Sequence, residues 1–273
     1  MKERPILFSG PMVRAILEGR KTVTRRPVKG SQIPKERHDE PDPAFRWSAV
    51  GQHDPRWGFL VTGATEAECA QELARAGRCP HGKPGDRLWV RESWWQAGEN
   101  IMTHPEDDEG VWSGSNRVHY SADGLPPNEP NRYYPEGLRN GRFSAANPDR
   151  IWRHRPSIHM PRWASRILLE ITGVRVERLQ DISEEQAIAE GCFFTNYGRR
   201  CGHGGKGWQE VGDCPAPEAH HPQNNGWMWD KTTSSDQCLG SARWAFGNLW
   251  EKTGGDWDAN PWVWVVEFKR VTP

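Results

Sequence analysis

The expected fold is organised around the stretch Gly19-Arg20-Lys21-Thr22-Val23-Thr24-Arg25-Arg26. It forms the turn after a short amphipathic helix and the strand that follows. Gly19 supplies the left-handed stop of the helix, and Pro27 ends the strand. Two hydroxyls, one amine and three guanidiniums surround a single valine. Packing does not require so many functional groups, so the stretch indicates a site for an anionic or hydrogen-bonding ligand.

The order of side chains along this strand leaves one question open. Strict alternation places Lys21 and Arg25 on one face of the strand, and Thr24 and Arg26 on the other. Lys21 and Thr24 can share a site only if Lys21 lies in the turn before regular pleating, or if a bulge intervenes.

The first half of the chain contains two further strands. The first runs from Arg4 to Phe8, before the helix, and the second from Arg87 to Ser93. Leu88 and Val90 lie on one face of the second strand, and Glu92 continues that face. Because carboxylates are rarely fully buried, we expect Glu92 at the solvent end of the strand.

The second half of the chain holds a well-marked short helix. Ser183 and Gln186 form a capping box at its start, and Gly191 stops it. Glu190 lies at its C-terminal end, where the helix dipole disfavours an anion. We therefore expect Glu190 to have a partner or a function.

The remaining elements follow from hydrophobic spacing. They are strands Arg166–Ile171 and Val174–Leu179 with Gly173 as a bulge or turn between them, a helix Ser241–Trp250 with Trp244, Ala245, Leu249 and Trp250 packing inward, and a last strand Trp262–Val271. Three polar stretches, 28–83, 96–150 and 192–240, are expected to be loop-rich insertions. The first contains a helix over Thr65–Ala76, and the second a hairpin around Val111–Tyr120.

Charge and composition limit the possible partners. The 273 residues contain 36 Lys plus Arg and 36 Asp plus Glu, so any contact with nucleic acid needs a local basic patch. The most basic local run, Ile151 to Arg166, has Trp152 and Trp163 between its arginines and histidines. It suits single-stranded RNA or DNA, or else it forms a solvated charged face. Without an apolar run of about 18 residues or a signal-peptide core, we expect a cytoplasmic protein with no membrane partner.

The six cysteines are irregularly spaced, which favours free thiols or metal ligands over a disulfide framework in a cytosolic chain. Cys201, His203, Cys214 and His220, with His221 beside it, are candidate zinc ligands. Their spacing contains no CxxC pair and matches no standard zinc pattern. We therefore expect a variable loop and no cofactor, with zinc as the alternative.

Four segments together resemble the ASCH domain, a small β-barrel of the PUA-like superfamily that is associated with RNA binding. They are Pro5–Arg26, Pro84–Ser93, Ser157–Gly191 and Ala242–Val271, and they contain the motifs "PGDRLWVRE", "LQDISEEQAIAEG" and "WDANPWVWVVEF". The long form is similar to ASCH proteins of bacteriophages and prophages. The resemblance implies an α+β fold, with a PUA-like barrel, flanking short helices and the three insertions forming a single domain over 1–273. Its core would comprise 4–27, 84–95, 151–191 and 241–271.

One branch of this family is an amidohydrolase that removes the acetyl group from N4-acetylcytidine. It uses a lysine, a threonine three residues later and a glutamate at the end of the capped helix. The matching positions here are Lys21, Thr24 and Glu190, and Arg26 matches a basic position of the same motif. That enzyme is a bare domain, whereas this chain adds three insertions.

The resemblance implies a division of roles at these positions. Lys21 would take a proton from the Thr24 hydroxyl if the pKa of the lysine were lowered towards neutrality. Glu190 would orient a water molecule or protonate the leaving nitrogen. Arg26 or backbone amides would hold the developing oxyanion.

Other ASCH proteins are RNA binders or ribonucleases, so the family alone does not fix an activity. The resemblance implies a partner that is RNA, single-stranded nucleic acid or a modified nucleoside, in the cytoplasm of a bacterial host. The ligand-binding positions would be Arg20, Arg25, Arg26, Glu92, Arg155 and Arg162. The alternatives to a binding protein are the amidohydrolase, a ribonuclease and a zinc-stabilised adaptor. A purely structural role would leave Lys21 and Glu190 as an ion pair that ties the turn to the short helix.

Overall fold

The structure is a computed structural model that describes residues 1–52, 58–104, 109–130, 151–198, 200–205, 207, 209–211, 214, 216–217, 220–221 and 225–272. Within these residues the strands, β1 to β15 in chain order, are Glu3–Leu7, Val23–Pro27, Lys35–Glu36, Trp47–Val50, Leu60–Gly63, Arg87–Arg91, Trp94–His104, Glu109–Tyr120, Trp152–Arg155, Leu168–Arg178, Phe193–Phe194, Arg200–Cys201, Gln209–Glu210, Trp227–Met228 and Trp262–Val271. The helices, α1 to α4, are Gly10–Leu17, Glu66–Ala76, Glu184–Ala189 and Ala242–Lys252. The predicted α+β class is confirmed.

The chain forms two compact units. The first unit comprises Met1–Arg14, Asp86–Glu170 and Arg270–Pro273. The second comprises Ala15–Gly85 and Ile171–Lys269. The predicted core segments are thus distributed over both units.

In the first unit, β6 lies between two partners. It pairs in parallel with β1, where Ile6 faces Val90, and antiparallel with the start of β10, where Leu169 faces Leu88. A second sheet has the order β8-β7-β9, and Trp94 of its central strand packs with Met160 in a buried cluster. The hairpin predicted around Val111–Tyr120 is confirmed by the pairing of β7 with β8.

In the second unit, β15 pairs antiparallel with β2, and Val266 faces Thr24 across the two strands. The three-stranded sheet β3-β4-β5 carries α2 against it. Trp264, Leu73 and Cys69 belong to one buried cluster that joins β15 to α2. The segment 28–83 is therefore more ordered than the loop-rich insertion that we predicted, although its helix begins after the Thr65 cap as expected.

The described strands of neither unit close into a barrel. The strand orders in the first unit are β1-β6-β10 and β8-β7-β9, and those in the second include β10-β15-β2 and β3-β4-β5. The PUA-like barrel therefore stays a prediction. No helix among the described residues is long and apolar enough to cross a membrane.

Two predictions about the second half of the chain need correction. The turn expected as one alternative at Gly173 is absent, while the other alternative, a bulge, stays a prediction. Strand β10 runs through Gly173 without a turn. A Cβ at this position would lie 2.7 Å from the Oε2 atom of Glu267, so the glycine allows a close approach of the neighbouring side chain. Trp244, expected inside, is 57% exposed, because the buried stripe of α4 follows Ala245, Phe246 and Leu249 instead.

Candidate functional site

Lys21 lies in the turn between α1 and β2, where the backbone is held on both sides. Gly19 adopts a left-handed φ of 77°, and the Lys21 amide donates to the Ala15 carbonyl oxygen over 3.0 Å. Lys21 forms an isolated antiparallel bridge with Glu190, and the Thr22 amide donates to the Ala189 carbonyl oxygen over 2.8 Å. The turn and the end of α3 are thus joined through the backbone before any side chain is considered.

The side chains of Lys21 and Glu190 meet in the interior. The Lys21 ammonium donates to Glu190 Oε2 over 2.6 Å and to the Glu190 carbonyl oxygen over 2.9 Å. The exposed fractions of the two side chains are 0% and 2%. The expectation that Glu190 needs a partner at the C-terminal end of its helix is confirmed.

Arg25 completes a buried network around the same carboxylate. Its Nη1 donates to Glu190 Oε1 over 3.1 Å, so each carboxylate oxygen of Glu190 accepts from a different cation. Its Nη2 donates to Gln186 Oε1 over 2.9 Å and to Glu177. The guanidinium lies 5.7 Å from the ring centre of Phe246 in α4, which covers it.

Helix α3 is fixed at both ends, and this positions Glu190. At its start, Ser183 Oγ accepts from the Gln186 amide, and Gln186 Oε1 accepts from the Ser183 amide, as the predicted capping box requires. At its end, Gly191 has a φ of 106°, and a Cβ there would lie 2.9 Å from the Ala15 Cβ. Only glycine fits this close approach without displacing the neighbouring backbone.

Burial and charge act in opposite directions on the basic groups of the site. Burial lowers the pKa of Lys21, and the Glu190 carboxylate raises it in part. Burial also lowers the pKa of Arg26, and the charge of the Glu190 carboxylate raises it in part. Lys21 is therefore a stronger acid in its charged form than an ordinary lysine.

Thr24 and Arg20 do not join the network. Thr24 is buried on the opposite face of β2 from Arg25, and the described structure contains no hydrogen bond from its hydroxyl to Lys21 or Glu190. Lys21 lies in the turn, which is the position that a shared site with Thr24 requires, but the two side chains form no hydrogen bond in the described structure. Arg20 donates to the Gly191 carbonyl oxygen over 2.6 Å and covers the Phe193 ring at 4.5 Å, so it supports the end of α3.

Three of the predicted ligand-binding residues belong to the first unit. Glu92 is 2% exposed, so its expected position at the solvent end of the strand is wrong. The reason is Arg166, whose Nε and Nη2 bind both oxygens of Glu92 over 2.9 and 3.1 Å and satisfy the buried carboxylate. Burial raises the pKa of Glu92, and Arg166 opposes this only in part. Arg155 donates to Gln96 over 3.3 Å, and Arg162 forms a surface ion pair with Glu3.

A separate cluster in the second unit contains Cys201, His203, Cys214 and His221, with one ligand atom from each within 4.8 Å of the others. His221 takes the fourth position that we assigned to the adjacent His220. The hydrogen bond from His221 is the main reason that the pKa of Cys214 is lowered to about 6. These residues could hold a metal ion.

Sequence reasoning missed three partners in these networks. Gln186 was expected only as a capping residue, yet the oxygen that caps the helix also accepts from Arg25. Glu177 was expected only as a strand residue, and Arg166 as part of the basic run and the start of a strand. Their partners lie 152 and 74 positions away in the chain. One signal in the sequence could have found Gln186: it lies four residues before Glu190, at a spacing that places both on one face of the helix.

The chain was compared with protein-family models, with curated proteins and with solved structures, and none of them matches it.

Proposed function

We propose that this chain is an ASCH-type protein that binds a small nucleoside carrying an amide, of the N4-acylated cytidine class, and hydrolyses that amide at the Lys21–Glu190 pair. The observation that carries the proposal is the buried contact of 2.6 Å between Lys21 Nζ and Glu190 Oε2. An acid and a base in direct contact, with an altered lysine pKa, are the groups that proton transfer to and from an amide requires.

Burial favours a small ligand over a polymer at this site. The Lys21 and Arg25 side chains have no exposed surface, and that of Glu190 is 2% exposed. Phosphate groups of a nucleic acid bind cations at the surface, where counterions are released. A nucleoside, in contrast, can be enclosed after a local opening of the fold. The rate of that opening then contributes to the observed rate of hydrolysis.

The ion pair supports a reaction in which water is the nucleophile. Glu190, as a carboxylate, would orient the water molecule and accept its proton while the oxygen adds to the amide carbon. Lys21, as an ammonium of lowered pKa, would donate a proton to the leaving nitrogen when the C–N bond breaks. The products are a carboxylic acid and cytidine, and Arg26 or backbone amides would stabilise the oxyanion between the two steps.

The roles differ from the division that the resemblance implied. Thr24 makes no hydrogen bond to Lys21 or Glu190 in the described structure, and a hydroxyl without a neighbouring base is a weak nucleophile. We therefore assign Thr24 a packing role behind the site, and we assign the attack to water.

The direct test is incubation of the purified chain with N4-acetylcytidine, followed by chromatography of the nucleosides. We expect cytidine to accumulate with the wild type and its rate of formation to fall about 10²–10⁴-fold with Lys21→Met. The absence of cytidine at high concentrations of a folded wild-type protein would eliminate the proposal.

A second candidate function, binding of single-stranded nucleic acid by the first unit, is favoured by one observation. Trp163 is 52% exposed beside Arg162, and its ring meets the buried Trp94 edge-on at 5.8 Å. An exposed, supported tryptophan next to a cation suits stacking on a base.

This second candidate predicts salt-sensitive binding of a short single-stranded RNA. Trp163→Ala should weaken it about 5- to 150-fold, because stacking on one base contributes about 1–3 kcal/mol. Trp244→Ala is the matched control, since Trp244 is 57% exposed but belongs to α4 of the second unit. Equal losses with both variants, or no binding at low salt, would exclude this role for Trp163.

A further inference from the structure

Four metal-binding side chains outside the Lys21–Glu190 site come together from distant positions of the segment 192–240. Cys201 ends the two-residue strand β12, and His203 lies in the turn that follows it. Cys214 and His221 come from later loop positions. One ligand atom of each lies within 4.8 Å of the other three.

The distances are close to those of a tetrahedral metal site. Zinc binds nitrogen at about 2.0–2.1 Å and sulfur at about 2.3 Å, so the ligand atoms around it lie about 3.4–3.8 Å apart. The distance between Cys214 Sγ and His203 Nδ1 is 3.6 Å, within that range. The other pairs lie at most 4.8 Å apart, so they need to approach by at most about 1.0–1.4 Å to reach it, which small rotations of the side chains supply.

The ligand types select among metals. Two thiolates with two imidazoles form a soft and borderline set, which suits zinc and disfavours magnesium or calcium. Four protein ligands also fill a tetrahedral coordination sphere and leave no position for a substrate. The set therefore suits a structural ion and not a catalytic one.

Among the described residues, the secondary structure next to this cluster is short. Strands β12 and β13 pair through only two residues each, Arg200 with Glu210 and Cys201 with Gln209. A two-stranded hairpin of this length is not stable by itself in water. Of the four side chains in the cluster, only that of Cys201 is buried, so hydrophobic burial contributes little here.

We propose that Cys201, His203, Cys214 and His221 bind one structural zinc ion, which holds the β12–β13 hairpin to the loop that contains Cys214 and His221. The zinc ion binds two thiolates and two neutral imidazoles, and the two thiol protons pass to solvent. This site is independent of the proposed hydrolysis, so either proposal can fail without the other.

The full-length chain, purified under reducing conditions without added metal, should contain about one zinc ion per chain by elemental analysis. After exchange of zinc for cobalt(II), it should show the visible d–d bands and the thiolate-to-metal charge-transfer band of a tetrahedral cobalt site. Removal of the metal with a chelator should make the 192–240 segment the first site of cleavage by a protease, because metal binding and local folding are coupled.

Two adjacent histidines provide the matched control. His221→Gln and Cys214→Ser should lose most of the bound zinc, whereas His220→Gln should retain it, since His220 is exposed and is not one of the four ligands. A folded wild-type protein with far less than one zinc ion per chain and no tetrahedral cobalt spectrum would overturn the proposal. An equal loss of zinc with His220→Gln and His221→Gln would overturn it as well.

Discussion

At the scale of single residues, the site depends on three buried charges, two positive and one negative, and the partly exposed Glu177 supplies the second carboxylate. Removing charged groups from water costs several kcal/mol per ion, and mutual attraction offsets this only when every lone pair and proton is satisfied. Glu190 meets that condition only in part: Lys21 binds one oxygen and Arg25 the other, but the buried Nε atom of Arg25 has no hydrogen-bond partner among the described residues. Removal of one charged partner should therefore lower the free energy of unfolding by more than the intact ion pair contributes to it.

The first prediction concerns Lys21→Met, which keeps the length of the side chain and removes its charge. We expect the free energy of unfolding in urea to fall by about 3–5 kcal/mol, because Glu190 is left buried with one cation instead of two. The double variant Lys21→Met/Glu190→Gln should recover part of this loss, because it also removes the buried carboxylate that has lost one of its two cations. A change of less than about 0.5 kcal/mol in the single variant, the size usual for a surface substitution, would show that the pair does not stabilise the fold.

The second prediction concerns the pH dependence that Glu92 imposes. Burial raises its pKa above the ordinary value of 4.5, so the folded state binds its proton more tightly than the unfolded state. The stability from this carboxyl is then fully present below pH 4.5 and is lost as the pH rises through the raised pKa. The free energy of unfolding of Glu92→Gln, minus that of the wild type, should thus increase as the pH rises above 4.5.

Glu72→Gln is the control for the sign of this effect. The hydrogen bond from Arg75 lowers the pKa of the exposed Glu72, so its contribution is present above the ordinary value of 4.5 and is lost as the pH falls. The same difference for Glu72→Gln should decrease with rising pH, and it should be small because the group is solvated. Slopes of the same sign for the two variants would contradict the proposed effect of burial on Glu92.

At the scale of elements, α3 positions the Glu190 carboxylate against Lys21, because Glu190 directly follows the last residue of this helix. The capping box fixes the start of the helix, and the contact between Gly191 and Ala15 fixes the end. Because Glu190 is the residue before Gly191, an error in the path of the chain at this glycine displaces the carboxylate. The precision of the site is therefore a property of the helix end as well as of the charged residues.

The third prediction is that Gly191→Ala destabilises the protein more than Gly85→Ala. Both glycines have positive φ, at 106° and 85°, which costs a residue with a Cβ about 1–2 kcal/mol. A Cβ at Gly85 meets nothing within 4 Å, whereas one at Gly191 lies 2.9 Å from the Ala15 Cβ. Thermal and urea unfolding should therefore show a larger loss for Gly191→Ala, and equal losses would mean that the contact with Ala15 relaxes freely.

Local sequence patterns predict the elements that define the site, but not all of their surroundings. The capping box of α3, the Thr65 cap of α2 and the bounds of β15 follow from nearby residues. The turn that was one alternative at Gly173 and the solvent-end position of Glu92 are wrong, because the environments of these residues depend on Glu267 and Arg166, which are distant in sequence. A pattern of two or three neighbouring residues contains no information about such partners.

At the scale of the whole molecule, the α+β class that the resemblance implies is confirmed, but the sequence does not predict how the strands are grouped. Equal numbers of acidic and basic residues indicate that charge acts locally, and the buried networks at Glu190 and Glu92 agree with this. The polar composition of 28–83 conceals the sheet β3-β4-β5, because strands of two to four residues are too short for a clear alternation. The parallel pairing of β1 with β6 joins residues 84 positions apart. The spacing of hydrophobic residues within one strand does not predict such a distant partner.

The central claim, that the Lys21–Glu190 contact performs chemistry, is tested most directly by the rate of N4-acetylcytidine hydrolysis in Glu190→Gln and Glu177→Gln. Both side chains accept a hydrogen bond from Arg25, but only Glu190 contacts Lys21. We predict that Glu190→Gln lowers the rate about 10²–10⁴-fold and that Glu177→Gln leaves it within about tenfold of the wild type. A similar loss of hydrolysis rate in the two folded variants would contradict the claim. It would show that the contact of Glu190 with Lys21 adds nothing beyond the shared contact with Arg25.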